Sequence, residues 1–294
     1  MSEVGDGAES PARDDTAERM SRREFVRTAG LAGLGAVAVG VLAVESPHAF
    51  EVNVHNRAVR GLKAGVRVAL LTDFHLGPNL GPSDLSRWVQ ASNNVRPDLV
   101  CLVGDIVDQA YRGDLSELKE ILPDLYAPLG VYAVPGNHDR TRYRRFDVFA
   151  QALREAKVSL LMNESVAVRD DLYLAGLDDF RVGRPDLEAT LAGQAGGDSV
   201  STVFLSHNPD VIPELSEVEN SGVDLLLAGH THGGQIRLPG IGPLVTSSAY
   251  GARYASGWVP APMPAFVSRG LGVTSLPFRF ACPAEVVVLD LVPA

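Results

Sequence analysis

Residues 50–294 predict an α/β domain whose sheets are buried on both faces. Three observations carry that expectation. From Val66 onward one phrase repeats, a short apolar run, a polar loop and often a helix. The runs are almost continuously apolar, as strands covered by helices on both sides are. No Pro- or Ser-rich linker divides 50–294, so this stretch is read as one domain.

Each element has its own local reason. "VRVALLTDFH" is a β-rich apolar run that breaks into a polar loop at Thr72. "GPSDLSRWVQASNNV" reads as a helix opened by Pro82 in its first turn. "PDLVCLVGD" and "GVYAVPGNHD" are again strand then loop. "SVAVRDDLYLAGLDD" predicts a hairpin turning near Asp170. "STVFLSHNPD" and "VDLLLAGHTH" return to strand then loop, and "AFVSRGLG" and "AEVVVLDLV" add further strands. In such sheets a ligand site lies beyond the strand ends, on the loops.

The first 46 residues are different material. Residues 1–20 are polar, acidic and small, a composition that predicts disorder. Arg22 and Arg23 then precede an uncharged, Ala- and Gly-rich stretch from Thr28 to Val44. Paired arginines before a weakly apolar segment resemble a twin-arginine export signal. A cytoplasmic amphipathic helix does not fit, because Thr28–Val44 has no polar face. The segment is at the lower length limit for crossing a bilayer, so cleavage and membrane anchoring both stay open. The expected partners are the twin-arginine export machinery and, if the segment is retained, the membrane. The expected location is outside the cytoplasm. Domain organisation is therefore a leader over 1–46 and a catalytic domain over 47–294.

Composition narrows the function. The formal net charge of −10 argues against a general nucleic-acid binder, which needs a basic face. Cys101 lies in an apolar run and Cys282 is remote from it, with no CxxC pair, so thiolate metal binding is not expected.

The chemistry gathers at the strand ends. The first loop supplies Asp73 and His75, the second Asp105, and the third Asn137 and His138. Later loops supply His207, then His230 and His232, so five of the seven histidines stand at strand ends. In extended backbone, residues two apart point the same way. On that geometry Asp73 with His75, and His230 with His232, each form a pair able to clamp one ion. Gly104, Gly136 and Gly229 precede ligand positions and allow the backbone to come close. Carboxylate, imidazole and amide together suit Mn²⁺, Fe²⁺ or Zn²⁺. Taken singly, each Asp or Asn is an ordinary turn residue and each His an ordinary side chain. The joint pattern is what points to a metal centre.

D-x-H, G-D-x-x-D, G-N-H-D, an isolated His and G-H-x-H, in this order, resemble the calcineurin-like metallophosphoesterases. "GHTHGGQIRLP", "VSRGLG" and "PFRF" further resemble an exported bacterial subgroup of that family. The resemblance implies a four-layer αββα sandwich, two mixed β-sheets packed together with helices outside, and two divalent metal ions. By motif one ion is held by Asp73, His75, Asp105 and His232, and the other by Asp105, Asn137, His207 and His230. Thus Asp105 bridges, and His230 and His232 face different ions. Two dications roughly 3.5–4 Å apart clamp phosphoryl oxygens and acidify a bridging water that attacks phosphorus. His138 resembles the family's general acid. Asp139 either orients His138 or caps its turn. Arg140 and Arg269 could contact a substrate phosphate, although surface salt bridging is the commoner fate of an arginine.

The function implied is an exported phosphodiesterase or pyrophosphate hydrolase acting on a lipid or cell-envelope phosphate ester. Competing readings are a metal-dependent scaffold on the same fold and a UDP-2,3-diacylglucosamine-type pyrophosphatase. Retention of His138 opposes the scaffold, and an external location opposes the cytoplasmic nucleotide. Neither an H-E-x-x-H helix nor a G-x-x-x-x-G-K-[ST] loop occurs, which removes those zinc proteases and NTPases.

Overall fold

The computed structural model describes residues 44–143, 146–193, 200–218, 221–260 and 262–294. The expected export segment, Arg22 to Val44, lies outside them except for Val44, the first described residue. Among the described residues no helix is long and apolar enough to cross a membrane.

Two six-stranded sheets form the middle of the structure. Strand β1 (Val44–Glu45) stands apart, paired antiparallel with β15 (Arg279–Phe280). The first sheet begins with β2 (Phe50–Val59), β3 (Val66–Leu71) and β4 (Leu99–Val103). It continues with β5 (Val131–Val134) and β6 (Ser159–Leu160), and takes in the last strand, β16 (Ala284–Pro293). Its order is β2-β16-β3-β4-β5-β6. The second sheet is built from β7 (Glu164–Arg169), β8 (Leu172–Gly176), β9 (Ser201–Leu205) and β10 (Leu225–Ala228), then β13 (Gly257–Val259) and β14 (Ala265–Val267). Its order is β13-β14-β10-β9-β8-β7. Between β10 and β13 a small hairpin pairs β11 (Arg237–Leu238) with β12 (Gly242–Pro243).

Both sheets are mixed. β3, β4, β5 and β6 run parallel, while β16 is antiparallel to β3. β8, β9, β10 and β14 run parallel, and β7 and β13 pair antiparallel at the edges. The hairpin expected near Asp170 is the β7–β8 pair. Strand β2 escaped the sequence reading, which began its repeat at Val66.

The period-two alternation of side chains explains the layers. Val68 and Leu70 of β3 face the same buried cluster as Val203, Leu205, Leu225 and Leu227 of the second sheet. Their neighbours Ala69 and Leu71 face outward into a cluster with Trp88, Leu118, Phe149 and Leu153 of the covering helices. On the other side Phe204 and Leu226 pack against Ile212 and Leu215. Helix, sheet, sheet, helix is thus four layers, and the runs are apolar throughout because both faces of each strand are covered. The helix Pro82–Asn94 forms as expected, with Pro82 in the first turn and the Asp84 carboxylate accepting from the Gly81 N–H at 3.1 Å. Its Leu85, Trp88 and Val89 lie on one buried face.

Because β3, β4 and β5 share a direction, their loops leave from one edge of the first sheet. The loops after β8, β9 and β10 leave from one edge of the second. Cross-links join the two edges: the Leu271 N–H donates to the Thr72 carbonyl at 3.0 Å, and the Gly272 N–H to the Asp73 carbonyl at 2.6 Å.

Candidate metal centre

All five strand ends predicted to carry chemistry meet at this joint edge. Asp73, His75 and His232 bring one ligand atom each within 4.8 Å of one another. Asp105, His207 and His230 do the same, and so do His75, Asp105 and His138. Donors sharing one ion at bond lengths of roughly 2.0–2.2 Å span a comparable distance. Asp105 Oδ2 stands 3.5 Å from His75 Nε2 and 3.1 Å from His207 Nε2, between the two main groups.

One sequence expectation fails here for a physical reason. The pairing of His230 with His232 on a single ion assumed extended backbone. Instead Asp73, His75, Asp105, His230 and His232 have φ of 56°, 46°, 51°, 72° and 52°. This left-handed region is uncommon for residues other than glycine, and each such residue costs roughly 1–3 kcal/mol. The turn sends His230 toward His207, with Nδ1 3.2 Å from His207 Nε2, and His232 toward His75, with their Nε2 atoms 3.0 Å apart. Asp73 and His75 do share a group, but through left-handed backbone rather than an extended pair.

Hydrogen bonds hold these conformations. The His230 N–H donates to Asp73 Oδ1 and Oδ2 at 3.1 and 3.0 Å, and the Thr72 hydroxyl lies 2.8 Å from Oδ2. Asp105 Oδ1 accepts the His138 N–H at 2.8 Å, leaving Oδ2 for the centre. The His207 Nδ1–H donates to the Val103 carbonyl at 2.9 Å, which aims Nε2 at Asp105. A Cβ on Gly136 would collide with the Asp105 carboxylate, and one on Gly229 with the side chains of Thr72 and Asp73. Glycine stands at both places because two aspartates press against the backbone.

The electrostatics suit a cation. Asp73, Asp105, His75, His207, His230 and His232 are all buried. Burial and the neighbouring His207 push His230 down to about 3, and burial with His75 holds His232 well below the usual imidazole value. Both are therefore neutral, the state that donates a lone pair. Burial opposes ionisation of His207, but the Asp105 carboxylate overcomes it and raises this imidazole to about 10. Nitrogens 3.0–3.2 Å apart need a proton or a cation between them. Asn137 adds independent support: its Oδ1 is buried with no hydrogen-bond partner. A carbonyl oxygen left without a donor at this spot fits an ion, and the donor set as a whole fits one or two borderline divalent cations.

The third aspartate of the centre is one that sequence reasoning missed. Asp139 does not orient His138; its carboxylate accepts the Gly136 and Val107 N–H groups, each at 2.9 Å, and caps the turn. The carboxylate beside His138 belongs to Asp108, with Oδ2 3.4 Å from His138 Nδ1 and 3.2 Å from His75 Nδ1. Asp108 is the second acid of "GDIVD", so the signal was visible in the motif already quoted. Burial works against a charge on Asp108, yet bonds from His138 and His75 hold its carboxyl well below the usual range. The same contact raises His138, against the effect of burial.

The two arginines considered for phosphate binding are committed elsewhere. Arg140 forms a two-pronged pair with the buried Asp178 and stacks over Phe146 at 4.2 Å. Arg269 pairs with Glu285 at 2.7 Å. Arg181, on the loop after β8, instead reaches within 3.5 Å of His230 Nε2. It lies on the rim of the centre and is the guanidinium best placed to meet a phosphate. Arg279 was also missed. It is fully buried and donates to the carbonyls of Gly272, Arg269 and Gly270, as well as to that of His232 at 3.2 Å. It ties the loop after β14 to the His232 turn. Cys101 and Cys282 are both free and buried.

Comparison with known proteins places this geometry. Residues 66–234 match the family described as Calcineurin-like phosphoesterase. The chain is 31% identical to the uncharacterized metallophosphoesterase YkuE of Bacillus subtilis, over 93% of this chain and 98% of that protein. It is 29% identical to an uncharacterized metallophosphoesterase of Aquifex aeolicus, over 77% of this chain and 85% of that one. It spans only 60% of a Helicobacter pylori metallophosphoesterase to which it is 30% identical. Among solved structures, the 5'-nucleotidase precursor of Thermus thermophilus aligns with a TM-score of 0.46 at 13% identity, over 78% of this chain and 54% of that one. The family depends on dinuclear metal centres, in keeping with the two converging ligand groups. By sequence match, fold and strand-end chemistry, this chain belongs to the calcineurin-like phosphoesterase family and is a metal-dependent phosphoric ester hydrolase.

Proposed function

We propose that this protein is an exported phosphodiesterase or pyrophosphate hydrolase acting on a lipid or cell-envelope phosphate ester. The observation that carries the catalytic part is the position of Asp105 Oδ2 between two groups of ring nitrogens, beside a histidine with a separate partner. In this reading Asp73, His75, Asp105 and His232 hold one divalent ion, and Asp105, Asn137, His207 and His230 the other. When bound, such ions supply Lewis acidity at phosphoryl oxygens and a nucleophile at neutral pH. The mixed carboxylate, imidazole and amide donors favour Mn, Fe or Zn.

The chain's own residues do the rest. Asp105, pinned by the His138 N–H, sets the separation of the two groups. His138 Nδ1 faces Asp108, so Nε2 is the nitrogen that hands a proton to the leaving oxygen. Asp108 is a positioning residue, because it fixes the rings of His75 and His138 together. Arg181 meets the phosphate from the rim. An alkyl ester suits the centre because its alkoxide leaving group needs that proton.

The measurement that tests this reading is metal content together with activity on phosphomonoesters, phosphodiesters and glycerophospholipids. Diesters are expected to be the best class, with all activity lost on chelation and restored by Mn²⁺ or Zn²⁺. A protein that holds its ions and cleaves none of the panel is the scaffold instead.

Export is supported by Arg22 and Arg23 ahead of the apolar segment. Relatives from zebrafish and cattle, named transmembrane proteins with a metallophosphoesterase domain, are consistent with work at a membrane. Changing both arginines to lysine is expected to strand the protein in the cytoplasm, folded and metal-loaded. Unchanged fractionation of that variant would remove the twin-arginine route.

A further inference from the structure

Beside the metal centre runs a cleft that the catalytic reading does not use. It has a volume of about 370 Å³ and reaches from His232 to Ile236, Leu244, Val245 and Leu276. That volume falls within the roughly 300–1,000 Å³ of small-molecule sites. His232 is the one ionisable side chain in its lining, although the chain carries a net charge of −10. Val245 is 75% exposed and Leu244 54%, and Ile241, at the adjoining hairpin tip, is 75% exposed. An apolar rim gathered at one place on a protein surface marks a binding face.

The cleft is built by the same segment that carries the ligands. Gln235, three residues beyond His232, sits in left-handed backbone at φ 55°. Its amide nitrogen donates to the Leu276 and Phe278 carbonyls at 3.0 Å each, and its amide oxygen accepts the Thr274 N–H at 2.9 Å. The Leu244 N–H donates to the Ile236 carbonyl at 3.1 Å, which fixes the hairpin wall. Both walls are therefore pinned to the turn that presents His232. Whatever lies in the cleft has one end against His232.

We propose that this cleft is a subsite for the aliphatic chain of a phosphate ester whose phosphate sits at the centre. The inference rests on the phosphodiesterase reading and deepens it by naming the chemistry of one ester arm. The lining beside His232 carries no charged side chain. Ile236, Leu244, Val245 and Leu276 give it an apolar face among neutral Thr and Ser side chains, so it has no counter-charge for a sugar phosphate or a nucleotide arm. It matches a hydrocarbon, which gains from leaving water and needs no polar partner.

The test compares p-nitrophenyl octyl phosphate with p-nitrophenyl methyl phosphate on the metal-loaded full chain, taking the ratio of kcat/KM for the two. The leaving group is the same in both, so the ratio isolates the arm. Each methylene moved out of water is worth roughly a factor of four, so a partly buried octyl arm should favour the longer ester by about 10- to 100-fold. In Leu244→Asp/Val245→Asp the ratio should collapse toward one, and Leu276→Ser should lower it in the same direction. Taking a ratio within each variant cancels any general loss of active protein.

A wild-type ratio near one overturns the subsite while leaving the phosphodiesterase reading intact. Failure to cleave either ester overturns that reading, and calorimetry with octyl phosphate against methyl phosphate then decides the subsite alone. Tighter octyl binding that the double variant loses keeps it, and equal binding ends it. A ratio unmoved by the substitutions also overturns the subsite. If those substitutions dissociate a dimer, or release the protein from phosphatidylglycerol vesicles, the face belongs to a second copy or to the membrane.

Discussion

Asp105→Asn is expected to lower phosphodiester hydrolysis by about 10³-fold or more, a loss of several kcal/mol of transition-state stabilisation. Metal content should fall with it. The substitution keeps shape but removes the buried negative charge that faces His75 Nε2 at 3.5 Å and His207 Nε2 at 3.1 Å. Its Oδ1 also accepts the His138 N–H at 2.8 Å, so the change reaches the neighbouring loop. Asn137→Ala removes a neutral oxygen from one group only. It should therefore cost less metal, though activity should still be nearly lost. Ion stoichiometry by elemental analysis, alongside circular dichroism to verify folding, checks the pair. Full activity with one ion or none, or equal metal loss in the two variants, would sink the shared-aspartate arrangement.

His138→Ala is expected to leave the ions in place and to cost activity in a way that depends on the leaving group. General acid catalysis contributes about 10²–10⁴-fold. An alkyl leaving group should feel all of it, because an alkoxide cannot depart without a proton. A p-nitrophenyl ester should suffer much less, since that group leaves as a stable anion. His138 keeps its proton well because Asp108 faces Nδ1 at 3.4 Å and raises its affinity for protons. Asp108→Asn should weaken that support and reduce alkyl ester hydrolysis more than nitrophenyl ester hydrolysis. Equal losses on both esters would instead make His138 a residue that positions phosphate.

These expectations draw unevenly on sequence and structure. Which residue types stand at which strand ends was legible in the chain. Apolar runs define the strands, and a polar residue after each run has nowhere to go but the loop. Parallel strands then bring those loops to one edge, which is why Asp73, Asp105, Asn137, His207 and the final histidines meet. The close approach allowed by Gly136 and Gly229 was also readable, as glycines immediately before ligands.

Direction was not readable. Spacing reports where a side chain points only while the backbone is regular, and five ligand positions are left-handed. That conformation is uphill for Asp and His locally, and it is held by bonds from other loops, such as the His230 N–H on Asp73. Two histidines one residue apart therefore serve two different groups. The same holds for the acids and arginines. Asp108 rather than Asp139 faces His138, and Arg140 and Arg269 are taken by Asp178 and Glu285. Arg279, far along the chain, supports the His232 turn from beneath. The sequence by itself determined the donor types and the edge where they gather. How they are shared out was implied only by the motif resemblance and not by spacing. The tertiary structure brings His230 to His207 and His232 to His75, because contacts between distant loops hold backbone angles that the local sequence would not adopt.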